Sequence, residues 1–256
     1  MSGASILRAS GVGLRYPGAD RDVIGNFDLD LQAGETVTVL GPSGIGKSSL
    51  LRILAGLQGP THGTVSVRGA ALHGPHPRVA IAFQDPSLLP WLTLERNVAF
   101  GLGFRHQPRL SRSERASRVD TAIGEVGLSH ARRQFPDQLS GGMAQRTALA
   151  RCLARQPEIL LLDEPFGALD EVTRSQMQHL LLKIVRDLRT ATVLITHDID
   201  EALLVSDRVL LLGGFPARRI GEWCIELPKP REDYVTELGA IRIEIVSRLR
   251  GATRLH

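Results

Sequence analysis

Gly41-Pro-Ser-Gly-Ile-Gly-Lys-Ser48 is the stretch whose reading decides the fold. The apolar run Thr36–Leu40 before it has the density of a buried strand and stops abruptly in this Gly/Ser/Pro loop. Lys47–Gly56 behind it reads as a helix closed by Gly56. A strand, a glycine-rich loop and a helix in that order make a phosphate cradle. Glycines let the backbone curl with its N–H groups turned inward, and the helix N-terminus adds positive potential. Gly41, Pro42, Ser43, Gly44, Ile45, Gly46, Lys47, Ser48 and the neighbouring Ser49 are therefore candidate nucleotide-binding positions. Lys47 has the reach to meet the β and γ phosphates, and the Ser48 hydroxyl suits Mg²⁺. The bland alternative is a glycine-rich turn with a solvated lysine.

Hydrolysis also needs an acid that orders the metal and a base for water. Ile159-Leu-Leu-Leu-Asp-Glu-Pro165 supplies adjacent carboxylates after four aliphatics, a poor packing choice unless a cation lies nearby. Asp163 is the candidate metal-shell acid and Glu164 the candidate base. Val79–Phe83, Ile159–Leu162, Thr192–Ile195 and Arg208–Leu212 are short, dense apolar runs that suit strands, and longer helical patterns separate them. The alternation predicts an α/β fold with a parallel or mixed sheet. Between Val172 and Arg189 the residues Met177, Leu180, Leu181, Ile184, Val185 and Leu188 fall on one helical face, with Arg174, Gln178 and Asp187 facing away. About 86–155 reads as an inserted helical subdomain with breaks near Gly101–Leu110 and Gly127–Asp137. From about 213 to 256 a C-terminal extension runs through strand-like pieces and Pro228–Pro230 into a helix expected from Glu232 to Arg250.

Composition narrows the partners. Of 256 residues, 31 are Lys or Arg and 27 Asp or Glu, a formal charge of +4. That excess is small and partly scattered as Arg along 105–133 and 242–254, so direct nucleic-acid binding is not expected. No apolar run approaches the ~20 residues of a spanning helix, and Met1–Tyr16 lacks the apolar core of a secretion signal. The expected protein is soluble, held at a membrane only by a partner. Cys152 and Cys224 have neither CxxC spacing nor clustered His, and are expected to be buried, reduced thiols.

At Leu139-Ser-Gly-Gly-Met-Ala-Gln-Arg146 the chain resembles the ATP-binding cassette (ABC) ATPases, whose signature sequence lies upstream of an Asp-Glu pair as here. The resemblance spans roughly Ser5 to Leu212. It implies one P-loop NTPase domain of the ABC type over 1–256, with a mixed β-core, an antiparallel β flank and an inserted helical subdomain. By the same resemblance Tyr16 matches the aromatic that stacks on adenine, although a Tyr before Pro17-Gly18 also packs beside a turn. Gln84 matches the Q-loop glutamine that touches Mg²⁺ or water, Asp170 the D-loop aspartate and His197 the switch histidine, a position where a lone His otherwise serves as a cap. Glu164, His197 and Gln84 are thus the expected catalytic set, and Ser48, Gln84 and Asp163 the expected metal set. Ser140, Gly141 and Gly142 start a helix and form a second nest of donors, offered in the family to ATP on the opposite subunit. The implied cofactors are ATP and Mg²⁺, and the implied partner is a second copy or a sister ATPase.

Asp85-Pro-Ser-Leu-Leu-Pro-Trp-Leu-Thr-Leu94 and Asn97-Val-Ala-Phe-Gly101 look like the nitrate, sulfonate and taurine branch of bacterial importers. Phe166-Gly-Ala-Leu-Asp170, Thr173-Arg174, Met177-Gln178 and Ile195-Thr-His-Asp-Ile-Asp-Glu-Ala202 agree with it. In that branch the surface of Leu88, Leu89 and Trp91 receives the membrane subunit; Trp91 could equally fill the helical subdomain's core. The resemblance implies an importer motor at the cytoplasmic face of the inner membrane, with permease subunits as partners and a periplasmic or lipid-anchored solute-binding protein acting indirectly. The alternatives are an exporter motor, or a soluble ABC ATPase that clamps DNA or ribosomes. The single motif set, and a span from Lys47 to Leu139 too short for a long coiled-coil insertion, disfavour the last. Ser49, Ala144 and Cys152 depart from commoner family residues without removing any catalytic group.

Overall fold

The computed structural model describes residues 5–104 and 107–253. The expected break at Gly101–Leu110 includes residues 105 and 106, and the C-terminal extension ends in 254–256; these positions lie outside the described residues. The chain runs β1 (Ser5–Leu14), β2 (Ile24–Gln32), β3 (Thr36–Leu40), α1 (Lys47–Leu54), β4 (His62–Val67), β5 (Ala70–Ala71) and β6 (Val79–Ala82). Helices α2 (Leu94–Ala99), α3 (Arg112–Glu125) and α4 (Gly141–Leu153) follow, with short 3₁₀ turns at Ser129–Ala131 and Pro136–Gln138. Then come β7 (Ile159–Asp163), α5 (Glu171–Leu188), β8 (Ala191–Thr196), α6 (Ile199–Val205), β9 (Arg208–Gly213), β10 (Arg218–Cys224) and α7 (Val235–Thr253).

Strand order follows from burial on both faces. The larger sheet has the order β10-β9-β3-β8-β7-β6, parallel except for the edge strand β10, which is antiparallel to β9. Every residue of β3, β7 and β8 is buried, as a sheet covered on both sides requires. Ile159 and Leu161 face the cluster shared with α1 and the smaller sheet, while Leu160 and Leu162 face the cluster built by α2–α5. The smaller sheet, β2-β1-β4-β5, is antiparallel throughout. The fold is thus the mixed α/β core with antiparallel flank that the family resemblance implied, and α2–α4 fill the interval between β6 and β7.

The local expectations need several corrections. Leu188 is 50% exposed, because α5 ends there and Arg189 turns into the left-handed region at φ 49°. Arg174 does not face away: its guanidinium donates to the Leu169 carbonyl and lies near buried Glu201. Cys152 is buried and free, but Cys224 is exposed, since it closes the edge strand.

The C-terminal helix begins at Val235 rather than Glu232 because of Arg231. That side chain is only 1% exposed and donates to the carbonyls of Leu227, Leu203, Ser206 and Ile225. The carbonyls of Leu203 and Ser206 belong to the C-terminal end of α6, where a helix leaves acceptors unpaired. Arg231 so fastens the extension to α6, and the chain must turn before it can resume as a helix. Replacing Arg231 with Leu strands several buried carbonyls at once. A loss of about 3 kcal/mol or more in unfolding free energy is expected from denaturant titration.

Candidate functional site

The phosphate loop is shaped by two glycines in left-handed backbone, Gly44 at φ 78° and Gly46 at φ 105°. A Cβ on Gly46 would also meet Val23 Cγ1 at 2.9 Å, so any other residue there pushes the loop off β2. Gly46 caps α1, and Lys47 opens it. The Lys47 ammonium is buried, donating to the carbonyls of Gly41 at 2.8 Å and Pro42 at 3.0 Å, and it lies 3.9 Å from Glu164 Oε1. Burial lowers its pKa, and the charges of Glu164 and Asp163 act in the other direction. A cation in that position, under a helix N-terminus, suits a polyanion.

Strand β7 delivers Asp163 to the same place. Ser48 Oγ donates to Asp163 Oδ1 at 3.1 Å. Asp163 is only 7% exposed, and burial, helped by the neighbouring Glu164, pushes its carboxyl above the usual carboxylate range while Ser48 and Lys47 pull it back. A hydroxyl and a buried carboxylate in contact are hard-oxygen donors. Both fit Mg²⁺, which binds through one or two such ligands and completes its shell with phosphate and water.

Glu164 occupies left-handed backbone at φ 43°, a conformation a non-glycine residue adopts only when its surroundings hold it. Here its N–H donates to the Ile195 carbonyl of β8 at 2.9 Å. Its carboxylate gathers three partners from three segments: Lys47, His197 Nδ1 at 3.3 Å, and Gln84 Nε2 donating at 3.5 Å. Lys47, Ser48, Gln84, Asp163, Glu164 and His197 therefore meet at the C-terminal ends of parallel strands, the usual crevice for ligands in such sheets.

The remaining positions lie elsewhere. Tyr16, 40% exposed, shares a hydrogen bond of 2.6 Å with Ser49 Oγ on α1, which ties its ring to the phosphate loop. Ser140 caps α4 and accepts from the Met143 N–H at 3.3 Å, with open space in front of Gly141. Gly142 is packed on α5: a Cβ there would come within 2.5 Å of Thr173 Cγ2. Asp170 caps α5 through the Thr173 N–H and hydroxyl at 3.0 and 2.7 Å, contacts that hold its carboxyl below its ordinary pKa. Sequence reading missed the Tyr16–Ser49 bond and the buried Glu201, although Ser49 and Glu201 both stand inside quoted motifs.

Comparison with known proteins gives a consistent family. A family model described as ABC transporter matches residues 24–167. The chain is similar to the aliphatic sulfonates import ATP-binding protein SsuB 2 of Burkholderia lata, 46% identical over 227 residues, covering 89% of this chain and 81% of the relative. It is also similar to the nitrate transport protein NasD of Klebsiella oxytoca, 42% identical over 229 residues, with 88% and 87% covered. Among solved structures it resembles the dimeric post-hydrolysis state of the ATP-binding cassette MJ0796 bound to ADP and Pi. That match has a TM-score of 0.76 and 30% identity, covering 87% of this chain and 100% of that one.

The electrostatics of Asp163 generate a test. Its folded pKa is raised above the ordinary 3.8, so the stability it contributes is present below that value and lost as pH rises through the folded pKa. A neutral isostere removes that cost. Asp163→Asn should raise the unfolding free energy of the nucleotide-free protein at pH 7 by on the order of 1 kcal/mol. The same variant should lose the Mg²⁺-dependent part of nucleotide binding. Thermal melts and titrations with and without Mg²⁺ measure both.

Proposed function

The chain belongs to the ABC transporter family of ATP-binding proteins, and from that premise we propose that it is the ATP-hydrolysing motor of a bacterial importer for a small solute of the nitrate, sulfonate and taurine class. The observation that carries the hydrolysis reading is the gathering of Lys47, Gln84 and His197 around Glu164, one residue beyond Asp163. Sulfonate and nitrate transport are named for relatives that match this chain over most of its length. An exporter motor has no comparable support.

In this reading the backbone of Gly41–Ser48 cradles the phosphates, Lys47 turns its ammonium to the β and γ oxygens, and Tyr16 stacks on adenine. Ser48, Asp163 and Gln84 hold Mg²⁺, which neutralises charge on the phosphates when bound. Glu164 accepts the proton of the attacking water as its oxygen bonds the γ-phosphorus, and ADP leaves with the electrons of the broken β–γ bridge. His197, already 3.3 Å from Glu164, holds the base in line and contacts the γ-phosphate. Ser140, Gly141 and Gly142, with open space before Gly141, face the γ-phosphate of a second chain, and Asp170 sits at that junction.

Coupling to the membrane needs a receiving surface. Asn97, fully buried, accepts from the Leu89 N–H and donates to the carbonyls of Leu89, Leu92 and Thr93, fixing the proline-flanked loop before α2. That leaves Trp91 69% exposed, and after α2 the exposed rings of Phe100 and Phe104 pack edge to face. Exposed aromatics on a rigid loop suit a protein partner, and the partner proposed is the permease. Helices α2–α4 act as the subdomain that transmits the motion. No helix among the described residues is long and apolar enough to cross a membrane, so attachment to the cytoplasmic face comes through that permease.

Two outcomes are expected. Glu164→Gln lowers ATP turnover by on the order of 10²–10⁴ while ATP affinity stays within a few fold; wild-type turnover in this variant rules out Glu164 as the base. Trp91→Ala melts within about 2 °C of the parent yet recovers about tenfold less permease on co-purification. Undiminished recovery removes Trp91 from the interface.

A further inference from the structure

Arg174 and Glu201 have no place in the hydrolysis scheme above, yet they join its two ends. Glu201 lies in the first turn of α6 and is only 4% exposed, an unusual position for a carboxylate. Its Oε2 accepts from Thr196 Oγ1 at 2.7 Å, and its Oε1 lies 3.6 Å from Arg174 Nε. Thr196 ends β8 immediately before His197, and its hydroxyl also accepts from the Asp198 N–H at 3.0 Å, immediately after His197. A hydroxyl has a single proton. With that proton given to Glu201, the Thr196 lone pairs are turned to Asp198, and the peptide that follows His197 is held.

Arg174 carries the connection to the other end. It sits one turn into α5, where its backbone N–H donates to the Asp170 carbonyl at 2.8 Å and its Nη2 reaches back to the Leu169 carbonyl at 3.1 Å. Its Nε is buried without a hydrogen bond and points at a carboxylate a few tenths of an ångström too far away. A small movement of the Leu169–Asp170 loop changes that separation directly. The same loop adjoins Gly142, whose missing Cβ lets Thr173 pack against it, with Leu169 at ordinary contact distance.

We propose that the Arg174–Glu201 pair is a positioning device, which registers His197 against Glu164 according to where the Leu169–Asp170 loop sits. It rests on the hydrolysis reading and deepens it: neither residue touches the nucleotide, and both act through His197. The loop adjoins the Ser140–Gly142 turn, so a change at the face of a second chain reaches the base through this pair.

The test compares Arg174→Gln, Glu201→Gln and the double variant of the full chain, measuring kcat and KM for ATP, equilibrium ATP affinity and melting temperature. Each single variant should lose about tenfold or more in kcat while KM and ATP affinity stay within about twofold. The double variant should be no slower than the slower single, because both residues serve one link. The inference is overturned if folded single variants keep kcat within twofold, if the losses multiply in the double, or if ATP affinity falls in step with kcat. Should Glu201→Gln not fold, Arg174→Gln decides through the same kcat and affinity criteria, its side chain being 27% exposed. Turnover in the parent chain, removed by Glu164→Gln, is the control. Its absence overturns the hydrolysis reading, whereas turnover in the parent with unaffected Arg174 and Glu201 variants overturns this inference alone.

Discussion

Two adjacent carboxylates at the end of a fully buried strand set the terms for everything around them. Asp163 and Glu164 repel each other where little water can screen them, and β7 cannot carry them there without compensation. Lys47 lies 3.9 Å from Glu164, a separation worth about 4 kcal/mol at an effective dielectric of 20 before the cost of desolvating both groups. The lysine is itself buried and bound to the Gly41 and Pro42 carbonyls, so the phosphate loop must fold tightly on β2 to place it. Ser48, beside Lys47 on α1, and Gln84 and His197, from two other segments, complete the set. Strand order brings those segments together: β3, β8, β7 and β6 are neighbours in the sheet, and each ends at the crevice.

Sequence reading reached this much because its parts are local. The phosphate loop, the Asp163–Glu164 pair and the dense strand runs each announce themselves within about ten residues, and the parallel sheet follows from their alternation with helices. The antiparallel flank came only through family resemblance, since β1, β2 and β4 are not dense apolar runs. What escaped notice depends on pairs far apart in the chain. Arg231 gives no sign in sequence that it is buried, because its partners are carbonyls, which any residue supplies. The Tyr16–Ser49 bond joins the loop after β1 to α1, and Cys224 is exposed because β10 is an edge. Arg174 was placed facing solvent by helical periodicity, yet α5 meets a second helix, α6, as well as the sheet, and the pattern of one face says nothing of a flank.

In the proposed motor, the site within one chain is half of a shared one. Ser140 caps α4 with open space before Gly141, and Gly142 packs on Thr173 of α5. Asp170 and Thr173 stand beside it, and Arg174 and Glu201 lead from there to His197. In the proposed motor, a phosphate loop with its own base is completed when another chain presents its Ser140–Gly142 turn to the bound nucleotide. Glu164 is, in that proposal, both the centre of one chain's site and the element that feels the neighbour's arrival.

The central claim is therefore that bound ATP joins two chains. The most direct measurement is the solution mass of the Glu164→Gln protein by light scattering, with and without saturating ATP and Mg²⁺. The account predicts one chain without nucleotide at low concentration and two with it. A protein that binds ATP to saturation and still has the mass of one chain at every concentration tested would contradict it.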